Sequence, residues 1–173
     1  MIEFEVWGDS HFADPSRFFG LGAADAIRTV ASAHPELHHV GNYAFPGAKV
    51  GDFIGNYARY SRAPVVLVSA GTNEAFAAHN RTHDGQLMTN WWHCLKELAR
   101  QRNQRVIVAP AQNQWGLASV VPAMVLYRAL PASLGFETID WNPTFEEMAS
   151  DGIHYNSRGS HRMASLLIEK VLS

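Results

Sequence analysis

The apolar positions change their period several times along the chain, and each change predicts an element. Ile2, Phe4 and Val6 alternate with Glu3 and Glu5, the two-residue period of a strand with unlike faces. Val65-Val66-Leu67-Val68 and Val106-Ile107-Val108 are continuous and β-branched, as strands covered on both faces are. Strands are expected at Ile2–Trp7, His38–Tyr43, Pro64–Ala70, Arg105–Ala109 and Glu137–Asp140. The first fits least comfortably, because Glu3 and Glu5 share a face that needs solvent or covering partners.

Helical spacing fills the gaps. Met88, Trp91, Leu95, Leu98 and Arg102 recur on one stripe between Asp84 and Arg102. Asp14-Pro15 pairs a capping residue with a first-turn proline, but Gly20 and Gly22 interrupt the segment after it. The main helix there is expected at Ala23–Ala33, stopped by His34-Pro35. Ala118–Ala132 holds another, with Pro122 near its first turn, and Ser157 can cap a last helix whose Met163, Leu167 and Val171 repeat every four residues.

Strand and helix alternate throughout, which predicts an α/β fold. The expected form is a flavodoxin-like three-layer sandwich on a five-stranded parallel sheet of order 2-1-3-4-5, with right-handed crossovers. Ligands of such sheets sit beyond the carboxyl ends of the strands. Gly8-Asp9-Ser10 comes after the first strand, Phe45-Pro46-Gly47 after the second and Gly71-Thr72-Asn73-Glu74 after the third. Three separate segments are thereby brought to one edge.

Composition narrows the class. The 173 residues suit one domain spanning 1–173, long enough to bury about two-thirds of the unfolded surface. With 47% hydrophobic and 17% charged residues the chain reads as globular, not disordered. A formal charge of −2 without a basic block argues against a nucleic-acid partner. Cys94 stands alone, so no disulfide framework is expected, and within a helix it reads as a buried thiol. Met1-Ile2-Glu3-Phe4-Glu5 carries acids where a secretory signal carries a basic end, and no run approaches the roughly twenty apolar residues of a membrane span. A cytoplasmic protein without a membrane partner is expected, with phage or non-classical export left open and the oligomeric state unspecified.

The candidate chemistry is nucleophilic. A serine hydroxyl is a poor nucleophile at neutral pH and needs a base within hydrogen-bond reach. Ser10 can be the nucleophile and His154 the base, with Asp151 fixing the tautomer of the ring and stabilising its charged form. The spacing Asp151-Gly152-Ile153-His154 permits a tight turn that folds the carboxylate back onto the imidazole. A neighbouring carboxylate favours the charged ring, which places the expected activity limb near or above neutrality. Charge developing on a carbonyl oxygen needs preorganised donors, and Gly47, Asn73 and the Ser10 N–H can supply them. Gly51 is an alternative to Gly47. Asp9 suits a structural hydrogen-bonding role.

Each motif alone is weak, but the four in this order resemble the SGNH (GDSL) hydrolase family from Gly8 to the final helix. The resemblance implies Ser10 as nucleophile, Gly47 and Asn73 as oxyanion donors, and Asp151 with His154 as the activating dyad. Gly71-Thr72-Asn73-Glu74 departs from the common pattern, which has a second glycine and an aspartate; the asparagine itself is present.

Other constellations point elsewhere only faintly. There is no Gly-x-Ser-x-Gly elbow, and Gly20-Leu21-Gly22 lacks a third glycine, so no nucleotide or other cofactor is expected. His79 and His83 stand four apart beside Asp84 without a metalloprotease motif, and no metal site is expected. Phe12, Phe45, Trp115 and Tyr155 are candidates to stack on a sugar ring or pack an acyl chain; Trp91 and Trp92 suit core packing. The connecting loops contain no insertion long enough for an obvious lid. These features favour removal of a small acyl group, acetyl above all, from an O-acylated carbohydrate. A lipid esterase or thioesterase is the alternative within the family, and a non-catalytic carbohydrate-binding or virion-structural domain is the alternative outside it.

Overall fold

The computed structural model describes residues 1–17, 22–111 and 121–173. Its strands are β1 (Ile2–Gly8), β2 (Leu37–Asn42), β3 (Val65–Ser69), β4 (Arg105–Ala109) and β5 (Glu137–Thr138). They form one parallel sheet in the order β2-β1-β3-β4-β5, as the alternating pattern predicts. The register sets Gly8 beside Ser69 and Ser69 beside Ala109, so the carboxyl ends of the central strands lie level.

Side-chain alternation divides the core between the two faces. Phe4, Val6, Val65, Leu67 and Ile107 pack under α1 (Ala24–Ser32) and α6 (Ser157–Leu172), with Ile27, Met163, Leu167 and Ile168. Trp7, Val66, Val68, Val106 and Val108 pack on the opposite face under α2 (Val50–Tyr60), α3 (Thr72–His79), α4 (Gly85–Gln101) and α5 (Val121–Ser133). Helices on both faces of one sheet make three layers.

The two acids of β1 part company. Glu3 stays in solvent beside His38. Glu5 is 2% exposed and is covered by hydrogen bonds from the Trp7 indole, the Ser61 hydroxyl and the Arg62 backbone N–H. The turn after α2 thus supplies the covering partners that a buried carboxylate requires.

Several local readings shift. Asp84 caps α4, accepting from the Leu87 N–H, but the buried stripe runs through Met88, Trp92, Leu95 and Ala99, with Trp91 only partly covered. Cys94, adjacent to Leu95 and therefore about 100° round the helix from it, is exposed and not buried. The cap of α6 is Asn156, whose side chain accepts from the Gly159 N–H, one residue before Ser157. The hydrophobic pattern predicts neither α2 nor α3: α2 contains Gly51 and Gly55, and α3 spans only eight residues. Among the described residues no helix is long and apolar enough to cross a membrane.

Candidate active site

Gly8 ends β1 with φ +141°, and a Cβ there would stand 2.1 Å from the Ser69 carbonyl oxygen. Only glycine lets the first strand leave the sheet so close to the third. The Asp9 N–H bonds the same Ser69 carbonyl, and a turn closed by Phe12 N–H to the Asp9 carbonyl presents Ser10.

The second segment arrives from the other end of the chain. An antiparallel bridge between Met148 and Tyr155 closes a short loop, held also by the Ala149 N–H on the His154 carbonyl. Within it, Asp151 Oδ1 accepts from the backbone N–H groups of Ile153 and His154, while Asp151 Oδ2 lies 2.6 Å from His154 Nδ1. His154 Nε2 lies 2.9 Å from Ser10 Oγ. With the carboxylate accepting at Nδ1–H, Nε2 carries the lone pair that faces the hydroxyl. Ser10 and His154 are only 6% and 9% exposed, so the pair is largely withdrawn from water.

The electrostatics correct one expectation. Burial works against the charge of Asp151, but hydrogen bonds from the His154 ring and from the His154 and Ile153 N–H groups hold its carboxyl down at about 2. His154 is lowered below its ordinary 6.5, because burial and the neighbouring His11 outweigh the support of Asp151. The ionisation of His154, expected near or above neutrality, is thus displaced in the opposite direction.

The donor side is tied to this corner through backbone. Phe45 N–H bonds the Gly8 carbonyl, joining the loop after β2 to the turn that carries Ser10. Gly47 has φ +78° and is exposed, the left-handed conformation for which glycine is favoured. Asn73 stands in the first turn of α3, and its Nδ2 donates to the Ala48 carbonyl at 2.9 Å; the second N–H of that amide has no partner among the described residues. Gly51 lies inside α2, where a Cβ would meet the Trp91 ring at 2.4 Å, so close helix packing accounts for that glycine.

Two neighbours carry no warning in the sequence pattern. Glu74 is fully buried; its two oxygens accept from the N–H groups of Val50 and Gly71, which clamps the starts of α2 and α3 together. Desolvation raises its carboxyl to about 7. His11, 3% exposed, lies between Asp9 and the Ile153 carbonyl. The signal for both is their place beside Ser10 and Asn73, inside the motifs.

The aromatic candidates separate. Phe12 is fully buried beneath α1, and Tyr155 is 5% exposed, edge-on to Trp141 and against His11, so both serve as core. Phe45 is exposed beside Gly47, and Trp115 lies outside the described residues. His79 and His83 are not gathered with other ligands: no group of three metal-ligating side chains occurs among the described residues.

Compared by sequence, the chain matches no protein-family model and no curated protein. Solved structures do match. A protein described as a GDSL-like lipase from Parabacteroides merdae superposes with a TM-score of 0.76 at 14% identity, covering 98% of this chain and 95% of that one. A lipase/acylhydrolase from Enterococcus faecalis gives 0.72 at 16% identity, covering 99% and 95%. A catalytic mutant of an acetylxylan esterase from Geobacillus stearothermophilus gives 0.74 at 14% identity, covering 98% and 94%. At these identities the likeness establishes the architecture, and this chain has the SGNH/GDSL hydrolase fold.

Proposed function

We propose that the protein is a serine ester hydrolase in which Ser10, His154 and Asp151 form the reacting chain. The observation that carries this reading is the unbroken run of hydrogen bonds from Ser10 Oγ to His154 Nε2 and from His154 Nδ1 to Asp151 Oδ2. Ser10 Oγ attacks the ester carbonyl while its proton passes to His154 Nε2. The imidazolium then protonates the departing alkoxide as the carbon–oxygen bond of the ester breaks, leaving an acyl-serine. A water molecule, deprotonated by the same ring, attacks the acyl carbon, and Ser10 Oγ leaves with the proton. Asn73, Gly47 and the Ser10 N–H are assigned to the oxygen that becomes negative in each step.

The substrate favoured is an O-acylated carbohydrate carrying a small group such as acetyl. Two observations support it: the slight exposure of Ser10 and His154 suits a short acyl chain, and acetylxylan esterases are among the structures with this architecture. A lipid ester or thioester is the second reading, favoured by the lipase/acylhydrolase neighbour and by Phe45, exposed beside Gly47. A panel of acetylated sugars, aryl esters of increasing chain length and acyl thioesters separates them; turnover falling steeply beyond short chains supports the first.

Fluorophosphonate labelling tests the reaction class. Wild type is expected to be labelled at Ser10 and to hydrolyse aryl acetates. Ser10→Ala should keep the fold by circular dichroism, lose the label and lose turnover by on the order of a thousandfold or more, because only the oxyanion donors remain. Near wild-type turnover in Ser10→Ala would overturn the reading.

A further inference from the structure

His11 is the residue directly after Ser10 and is buried with it. Its Nδ1 lies 3.1 Å from Asp9 Oδ1, and its Nε2 lies 3.1 Å from the Ile153 carbonyl oxygen. Both neighbours are acceptors. A neutral imidazole has one N–H and one lone pair, so either tautomer would aim a lone pair at an oxygen; the imidazolium alone satisfies both contacts. Asp9 is arranged to match. Its Oδ1 also accepts from the His11 N–H and the Ser69 hydroxyl, and its Oδ2 has no hydrogen-bond partner among the described residues, which makes the adjacent cation its counter-charge.

We propose that His11 is a positioning residue: a buried imidazolium, balanced by Asp9, that pins the Ile153 carbonyl and so fixes the Asp151–His154 turn against Ser10, while its charge keeps the His154 ring neutral. The inference rests on the reading of His154 as the base. The ring centroids of the two histidines are 5.4 Å apart, so a charge on one disfavours a charge on the other. Among the described residues the groups facing His11 include Asp9 on its own turn, and Asp151, His154 and Tyr155 on the loop before α6, with the Ser69 hydroxyl reaching Asp9 from β3. Burial opposes a proton on His11, yet Asp9, the Ile153 carbonyl and Asp151 together raise it above 6.5. Asp151 draws a proton toward His154 and His11 repels it. The base thereby stays ready to accept the Ser10 proton under mildly acidic conditions, in return for being a weaker base.

Nitrogen-detected NMR on protein labelled at histidine tests this without reference to turnover. In the wild type, His11 should titrate above 6.5 with both nitrogens protonated where His154, a neutral Nδ1–H tautomer titrating below 6.5, has already lost its proton. In His11→Gln the charge is gone, and the His154 midpoint should rise by roughly 0.5–2 pH units, the range for a unit charge at this separation. The acid limb of kcat/KM should move with it, while a merely structural role for His11 would lower activity without moving the limb. A wild-type His11 that loses its proton before His154 does, or an unmoved His154 midpoint in the variant, overturns the proposal. Should His11→Gln fail to fold, the wild-type spectra decide alone. Retained activity in Ser10→Ala would defeat the esterase reading instead, and the protonation states would be read regardless.

Discussion

The two flanks of the strand ends are held together in opposite ways. On the β1 side, two carboxylates alternate with two imidazoles: Asp9 meets His11, and Asp151 meets His154. On the β3 side a single buried carboxylate, Glu74, gathers the backbone N–H groups of Val50 and Gly71. In the reaction proposed above, the first flank moves protons and needs partners whose charge can change. The second holds the starts of α2 and α3, and with them Asn73, in place through amides whose one partner is the Glu74 carboxyl. Asp151, half-open to water and bonded by the His154 ring and two N–H groups, is held down at about 2; Glu74, fully buried, is pushed up to about 7 although it too accepts from backbone N–H groups.

The sharpest way to break the comparison is Asp151→Asn. Its Oδ1 can keep the two backbone contacts, but the amide would then donate to His154 Nδ1, forcing the proton onto Nε2, where it blocks acceptance from Ser10. A loss of about 10⁴ in kcat is expected, with the remaining His154 titration shifted further down. Full activity with an unchanged pH profile would mean another group orients the ring. The corresponding change on the other flank, Asn73→Ala, should be milder. Loss of one oxyanion donor is expected to lower kcat by roughly a hundredfold with little change in KM; a pure KM effect would make Asn73 a substrate-positioning group.

Glu74→Gln tests the amide clamp through stability. A glutamine can accept from one of the two N–H groups but turns its own N–H toward the other, so unfolding in urea should show a loss of about 1–3 kcal/mol at low pH, where Glu74 is neutral. The smallest effect expected is one of sign with pH. Glu74 binds its proton more tightly folded than unfolded, so its contribution is present below 4.5 and is lost as pH rises toward about 7. Asp151 does the reverse: its contribution is present above 3.8 and is lost as pH falls toward about 2, weakly because the side chain is 38% exposed. Urea midpoints for wild type and Glu74→Gln should therefore converge between pH 5 and 7; parallel curves would deny Glu74 its raised proton affinity.

The alternation of Phe4 and Val6 with Glu5, and the continuous Val65–Val68 run, make the sheet and its order legible, because a strand's burial is written in nearest-neighbour pattern. The positions of Ser10, Gly47, Asn73, Asp151 and His154 are legible because each lies just past a strand or before a helix. Glu74 and His11 are not, since what defines them is a partner distant in sequence: Val50 for one, Ile153 for the other. Phe12 and Tyr155 mislead for a related reason. Nearness to a strand end says that a side chain is close to the site, but not that it faces it, and both turn inward to the core. Sequence alone favours a raised His154 because the nearby carboxylate shows in it, while the burial of His154 and its nearness to His11 do not.

The contact between Ser10 and His154 joins residues 144 positions apart. Closing a loop of that length costs roughly (3/2)RT ln n, about 4 kcal/mol, which the helices and neighbouring strand pairs do not have to meet. The proposed activity is thereby tied to completion of the fold: a partly folded chain can have native helices and strands without the apposed hydroxyl and ring, and during refolding ester turnover should reappear after the far-ultraviolet signal has recovered.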